Sequence, residues 1–202
     1  MNRLLIATGN PGKLREFGQL LPDLLLTSPA SLGLQLEVEE NGDSFAANAR
    51  LKALAFAAAS GHVVLADDSG LEVDALDGAP GVLSARYGGP GLDDRGRCQR
   101  LLAALSAWPA TEQRRARFRC TVVAMAPDGR SCTADGVCEG IIAAAPSGEG
   151  GFGYDPVFYL PEDGCTMAEV EISRKNQLSH RARALAALRP HLPRVFPELM
   201  SR

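Results

Sequence analysis

Apolar positions along this chain follow two periods, and the switches between them outline its elements. Residues 4–7 form an unbroken apolar run of strand length, followed at once by Thr8, Gly9, Asn10, Pro11, Gly12 and Lys13. Asn10 is a good N-cap and Pro11 suits the first helical position. Leu14, Phe17, Leu20 and Leu21 then recur at helical spacing until Pro22. The pattern predicts strand, tight turn, helix, with a second strand over 24–27. A helix start of this kind is expected to offer free N–H groups and the positive end of a dipole. Residues 32–43 read as an acidic loop with Glu37, Glu39 and Glu40, ending in Asn41-Gly42. Ser44 opens the longest helical pattern, to about residue 60, where Gly61 stops it. The chain then reaches its organising stretch. Val63, Val64, Leu65 and Ala66 predict a short buried strand, ended by Asp67, Asp68, Ser69 and Gly70. Ser69-Gly70 reads as a sharp turn exposing backbone N–H groups. Alternation over 71–76 predicts a separate, half-exposed strand.

Beyond it, 77–89 is turn-rich without a clear element, and Leu101, Leu102 and Leu105 mark a helix over 93–106. Alternation over 117–126, a turn at Pro127-Asp128-Gly129-Arg130, and a return over 132–143 predict a hairpin. Residues 147–155 are dense in glycine, and 157–160 reads as a short strand. Residues 167–172 read as a loop leading to a helix start. A last helix opens over 177–181 and runs to about 188, before Pro190, Pro193 and Pro197 break the chain up.

With 202 residues the chain suits one large domain or two small ones. No linker-like tract interrupts it, so a single domain over 1–202, possibly with a lobe, is expected. Net charge is −3, so no global basic field points to duplex nucleic acid. A phosphate ligand must be attracted locally. The five cysteines are odd in number, without C-x-x-C or zinc spacing, and fit reduced thiols in a cytoplasmic protein. The N-terminal apolar run is too short for a signal sequence, and no run approaches the ~18 apolar residues of a membrane span.

Three groups of residues carry candidate chemistry. Thr8 to Lys13 offers a helix start and an ammonium, but it is not a Walker A loop: Gly9 and Gly12 are too close and Leu14 follows the lysine. Asp67, Asp68 and a glutamate of 37–40 could share one Mg²⁺ through hard oxygens, with Asp68 accepting a proton from water. Late in the chain, Phe152 between glycines offers a ring to stack on a base. Lys175 offers a point charge for phosphate, and beside His180 the Arg181 side chain and the backbone of the helix start offer donors suited to a 6-oxo purine. Each group alone also fits an ordinary turn, a solvated loop or a helix start.

Together these pieces resemble the inosine/xanthosine triphosphate pyrophosphatase family. The matching segments are Ala7-Thr8-Gly9-Asn10-Pro11-Gly12-Lys13, Ala66-Asp67-Asp68-Ser69-Gly70-Leu71, Gly78-Ala79-Pro80-Gly81, Ser84-Ala85-Arg86-Tyr87, Gly151-Phe152-Gly153-Tyr154-Asp155-Pro156 and Ser179-His180-Arg181, in the family's order. The resemblance implies an α/β fold: an elongated, twisted mixed sheet flanked by helices, two lobes with a central nucleotide cleft, usually a homodimer. It implies Mg²⁺-dependent hydrolysis of dITP, ITP or XTP to the monophosphate and pyrophosphate, clearing them from the nucleotide pool. It assigns Asp68 as proton acceptor and, with Glu39, metal ligand. Thr8, Gly9, Asn10, Pro11, Gly12 and Lys13 would hold phosphates. Ser69 would touch the nucleotide, and Phe152, Gly153, Tyr154, Asp155, Lys175, His180 and Arg181 would bind base, sugar and phosphates. One departure is Arg174, where family members often carry an acid before the lysine matched to Lys175. The competing readings are a pyrophosphatase for modified pyrimidine nucleotides and a silent nucleotide sensor or nucleic-acid-binding module. The paired aspartates, negative charge and low aromatic content (5%) weigh against the sensor.

Overall fold

The computed structural model describes residues 3–200. Seven strands form one mixed sheet: β1 (Leu4–Ile6), β2 (Leu26–Thr27), β3 (Val63–Val73), β4 (Arg115–Met125), β5 (Ser131–Ile142), β6 (Phe158–Leu160) and β7 (Cys165–Thr166). Their order is β2-β1-β3-β4-β5-β6-β7. β1 pairs in parallel with β2 (Leu4 opposite Leu26) and with β3 (Leu5 opposite Val64). β6 runs antiparallel to β5 (Ile142 opposite Phe158) and to β7 (Leu160 opposite Cys165). The helices are α1 (Pro11–Leu20), α2 (Phe45–Ser60), α3 (Asp94–Ala104), α4 (Ile172–Leu178), α5 (His180–Leu188) and α6 (Leu192–Val195). None of the described helices is long and apolar enough to cross a membrane.

The chain divides into two compact units. The first comprises the chain up to Asp68, Cys120–Gly136, and the chain from His180 onward; the second comprises Ser69–Arg119 and Val137–Ser179. In the first unit both faces of β1 and of the start of β3 are covered, which is why these strands read as continuous apolar runs rather than alternating ones. Leu4, Ile6, Val63, Leu65, Cys120 and Val122 pack with Phe17 of α1 and Leu185 and Leu188 of α5. Leu5, Ala7, Val64, Ala66 and Val123 meet Ala49, Ala53, Phe56 and Ala57 of α2. The alanines let α2 lie close to the strands. In the second unit Leu71, Val73, Phe118, Ile142 and Phe158 pack with Cys98, Leu101 and Leu105, the last just beyond α3.

Several caps match the sequence pattern. Ser44 accepts from the N–H of Ala47 at the start of α2, Asp93 accepts from Gly96 at the start of α3, and Gly61 ends α2 in the left-handed region. Two expectations need correction. β3 does not end at Asp67: it runs on through Ser69 and Gly70 to Val73, so the expected turn and the separate strand over 71–76 are one element, and 74–76 is a 3₁₀ turn. The two carboxylates do not break the strand because each finds partners on its own face, as described below. β7 forms over residues for which no element was read, because two residues carry no usable period. Residues 81–86, read as irregular, form a 3₁₀ helix.

Candidate active site

The site of the first unit is built on the alternation of β3. Successive side chains of a strand point to opposite faces. Val63 and Leu65 face α1 and α5, so Asp67 does too; Val64 and Ala66 face α2, so Asp68 does too. The neighbouring acids therefore enter two different environments, and the expectation that both would gather at one ion is corrected.

Asp67 is 1% exposed. Its carboxylate meets Lys13 Nζ at 2.9 Å and accepts from Arg181 Nη2 at 2.9 Å and Nε at 3.3 Å. Burial raises its pKa, but Lys13, Arg181 and Lys52 outweigh this and hold it well below the usual carboxylate range. Arg181 is fully buried, donates also to Glu16, and lies 5.7 Å from the Phe17 ring centroid. Burial would favour its neutral form, yet Asp67 and the other negative groups hold its pKa above the ordinary value. Its guanidinium is thus held between two carboxylates. α5 reaches this position through Gly136 on β5: a Cβ there would lie 2.1 Å from the His180 carbonyl oxygen and 2.3 Å from Ala184 N. His180 is buried at the head of α5. The Cys120 thiol lies 4.0 Å from Asp67 and is pushed up to about 12, by burial first and then by that carboxylate.

The turn before α1 differs from its expected chemistry. Asn10 Oδ1 accepts from Gly12 N at 2.8 Å and Lys13 N at 3.2 Å, Pro11 has no N–H, and Leu14 N bonds the Asn10 carbonyl at 3.1 Å. The first-turn donors are already used, so the expectation of free N–H groups there is corrected. Lys13, the helix dipole, the Thr8 hydroxyl and the open surroundings of Gly9 remain. That hydroxyl accepts from Asn10 N at 3.1 Å.

On the opposite face Asp68 accepts from Asn48 Nδ2 at 3.1 Å and lies 3.7 Å from Lys52 Nζ. Asn48 is oriented in turn by Gly42, whose N–H donates to Asn48 Oδ1 at 2.8 Å. Lys52 also meets Glu40 at 2.8 Å. Burial raises the Asp68 pKa and Glu40 adds to this, while Lys52 and Asn48 oppose it. The result is a carboxylate with enhanced basicity, whereas Asp67 is a fixed counter-charge that takes no proton near neutrality. The glutamate tied to this face through Lys52 is Glu40; Glu39 is exposed. Among the described residues no group of three or more His, Cys, Asp or Glu is placed to hold a metal by itself.

Sequence reasoning passed over Asn48, Lys52 and Glu16. The first two had a signal: they sit four residues apart on the buried stripe of an otherwise apolar helix, beside Phe45, Ala49, Ala53 and Phe56. Glu16 had none.

In the second unit the late group does come together. Asp155 Oδ2 accepts from Lys175 Nζ at 2.7 Å and from Phe152 N at 2.9 Å, and Lys175 Nζ lies 5.4 Å from the Phe152 ring centroid. Gly151 is needed there: its φ is +74° and a Cβ would lie 2.0 Å from Asp155 Oδ2. Tyr154 is buried, its hydroxyl donating to the Ser84 carbonyl at 2.9 Å, and burial raises its pKa. Arg174 pairs with Asp163 at 2.8 Å instead of with any of these residues. Ser69 follows Asp68 on β3 and is half-buried.

Fold and cluster define an α/β protein with a buried ionic centre where a parallel strand pair meets a capped helix. The chain belongs to the Ham1 family, whose model matches residues 4–191. A dITP/XTP pyrophosphatase of Desulforamulus reducens is 47% identical over 196 residues, 96% of this chain and 97% of that protein. One from Nostoc sp. is 49% identical, covering 94% and 93%. The structure of a HAM1 protein from Coxiella burnetii superposes with a TM-score of 0.86 at 39% identity, covering 96% and 100%. That of the Staphylococcus aureus Ham1 protein gives 0.84 at 40% identity, covering 95% and 98%.

Proposed function

We propose that this protein hydrolyses dITP, ITP and XTP to the monophosphate and pyrophosphate, with Mg²⁺, and so clears non-standard purines from the nucleotide pool. The observation that carries the reading is Asp68: a buried carboxylate of raised basicity, oriented by Asn48 and held against Lys52, on a chain whose relatives are named dITP/XTP pyrophosphatases. In this reading Asp68 takes a proton from water as its oxygen attacks phosphorus and the α–β anhydride bond breaks, releasing pyrophosphate.

The residues fit a magnesium ion. Mg²⁺ is commonly held by one or two carboxylates plus phosphate oxygens and water, and needs no all-protein cage. Lys13, Lys52 and Arg181 face four carboxylates, those of Asp67, Asp68, Glu40 and Glu16, so the centre carries no spare positive charge for a triphosphate. Asp68 and Glu39 would be its ligands, with Glu40 beside them. When bound, the ion neutralises phosphate charge and orients the attacking water. Thr8, Gly9, Asn10, Pro11, Gly12 and Lys13 would border the phosphates, led by the Lys13 ammonium. Ser69, Phe152, Gly153, Tyr154, Asp155, Lys175 and His180 would contact or frame base and sugar. Arg181, fully buried, would act on the substrate through Asp67 and not by direct contact. A homodimer follows from the family resemblance, and five free thiols support a cytoplasmic setting.

The test is product analysis with ITP, XTP, dITP, ATP and GTP, with and without Mg²⁺, resolving pyrophosphate from orthophosphate. Preferential pyrophosphate release from the first three is expected. Equal rates with ATP and GTP, or orthophosphate as the only product, would overturn the reading. Asp68→Asn should lose most turnover, by a factor of about 10² or more.

A further inference from the structure

The Phe152–Gly153 peptide is gripped from a helix that shares no motif with it. Asp94, in the first turn of α3, accepts from Gly153 N at 2.7 Å through Oδ2. One turn on, the Cys98 thiol donates to the Gly153 carbonyl at 3.4 Å. Both backbone polar groups of Gly153 are thus taken by α3. Arg97 fixes the carboxylate that does this: its Nη2 meets Asp94 Oδ1 at 2.6 Å, and its Nη1 donates to the Leu92 carbonyl. On the other side of Phe152, its own N–H goes to Asp155, which also holds Lys175. The ring is therefore suspended between two carboxylates, one from its own loop and one about sixty positions earlier in the chain. Glycines on both sides give Phe152 no side-chain packing from its sequence neighbours, and Gly153 has a φ of +63°. Without outside anchors this segment would sample many conformers.

We propose that Asp94 is a positioning residue for substrate binding, holding the Phe152 ring at the angle at which it stacks on the purine base. The inference rests on the proposed pyrophosphatase reading and deepens it. Asp94 touches no substrate; it acts through Gly153. Burial raises its pKa, but the Gly153 N–H and Arg97 outweigh this, so it stays ionised and a strong acceptor. A freed segment must be ordered again each time a base binds, and that cost falls on binding and not on the chemistry at Asp68.

The test compares wild type, Asp94→Ala, Phe152→Ala and the double variant by steady-state kinetics with ITP, after thermal melts establish folding. Asp94→Ala should raise KM for ITP about tenfold while kcat changes less than about twofold. Asp94→Asn, which keeps an acceptor oxygen, should restore most of the difference. In the Phe152→Ala background, removing Asp94 should raise KM no further, because the effect passes through the ring. Additive effects, or a kcat loss matching the KM change, would overturn the proposal. If Asp94→Ala does not fold, Asp94→Ser, too short to reach Gly153, is read in the same cycle against the same outcomes. A wild type that does not split ITP would instead defeat the pyrophosphatase reading; a wild type that splits it with an unchanged KM in the variants defeats this one alone.

Discussion

Asp67 sits where Lys13 and Arg181 outweigh its burial, while Asp68 sits where burial wins. Their stability contributions therefore have opposite signs. A carboxylate whose folded pKa is depressed stabilises above its unfolded value, near ~4, and loses that contribution as pH falls through the folded value. Asp67→Asn should cost about 3–5 kcal/mol, because it removes a carboxylate that pairs with the fully buried Arg181, and acid denaturation should begin at higher pH than in wild type. Urea unfolding followed between about pH 3 and 7 checks both. Asp68 has the reverse sign: its folded pKa is raised, so the ionised form opposes folding, and the cost is relieved as pH falls through that raised value. Asp68→Asn should thus be inactive yet more heat-resistant than wild type at neutral pH without metal, and the difference in melting temperature should shrink on acidification. A lower melting temperature for the variant would contradict the burial account. At this scale the residue types were legible in the sequence, but their division of labour was not. Asp67-Asp68 reads as one acidic pair until the strand is known to continue, and only then does a period of two separate them.

The elements that place these residues depend on close approaches that propensity does not announce. β3 was readable up to Ala66, and its extension was not, because Asp-Asp-Ser-Gly in isolation is turn chemistry. Tertiary partners overrode it: Lys13, Arg181, Asn48 and Lys52 make the acids tolerable inside a strand. α1 and α2 were legible at both ends because their stop and start signals are local, in Asn10-Pro11, Ser44 and Gly61. The seat of α5 was not, since it is set by the missing side chain of Gly136, far away in sequence. Gly136→Ala should therefore do more than its small size implies. The added methyl meets main-chain atoms, which cannot rotate aside, so α5 must shift and carry Arg181 with it. A loss of about 1–3 kcal/mol in chemical denaturation is expected, with a fall in turnover, whereas Gly9→Ala, which meets open space, should leave stability within about 0.5 kcal/mol of wild type. Equal, small effects at both positions would mean that the β5–α5 approach is not tight.

For the whole molecule the decisive quantity is charge. The chain carries a net −3, and its buried ionic centre adds no local surplus of cations, since Lys13, Lys52 and Arg181 are met by Asp67, Asp68, Glu40 and Glu16. A triphosphate approaching alone meets no favourable global field and, at this centre, no lysine without a carboxylate partner. Each lysine could turn toward phosphate, but only by abandoning a carboxylate that burial makes costly to leave alone. A divalent cation removes the conflict, because it supplies positive charge to the carboxylates and to the phosphates at once. The consequence is that metal should control binding as well as turnover. With a non-hydrolysable ITP analogue, calorimetry in EDTA should show affinity at least about a hundredfold weaker than with Mg²⁺, a coupling of about 2.7 kcal/mol. Lys13→Ala should weaken metal-loaded binding further, and also destabilise the free protein by uncovering Asp67. Unchanged affinity in EDTA would show that the lysines release their carboxylates at little cost, and that the charge balance of the centre does not govern recognition.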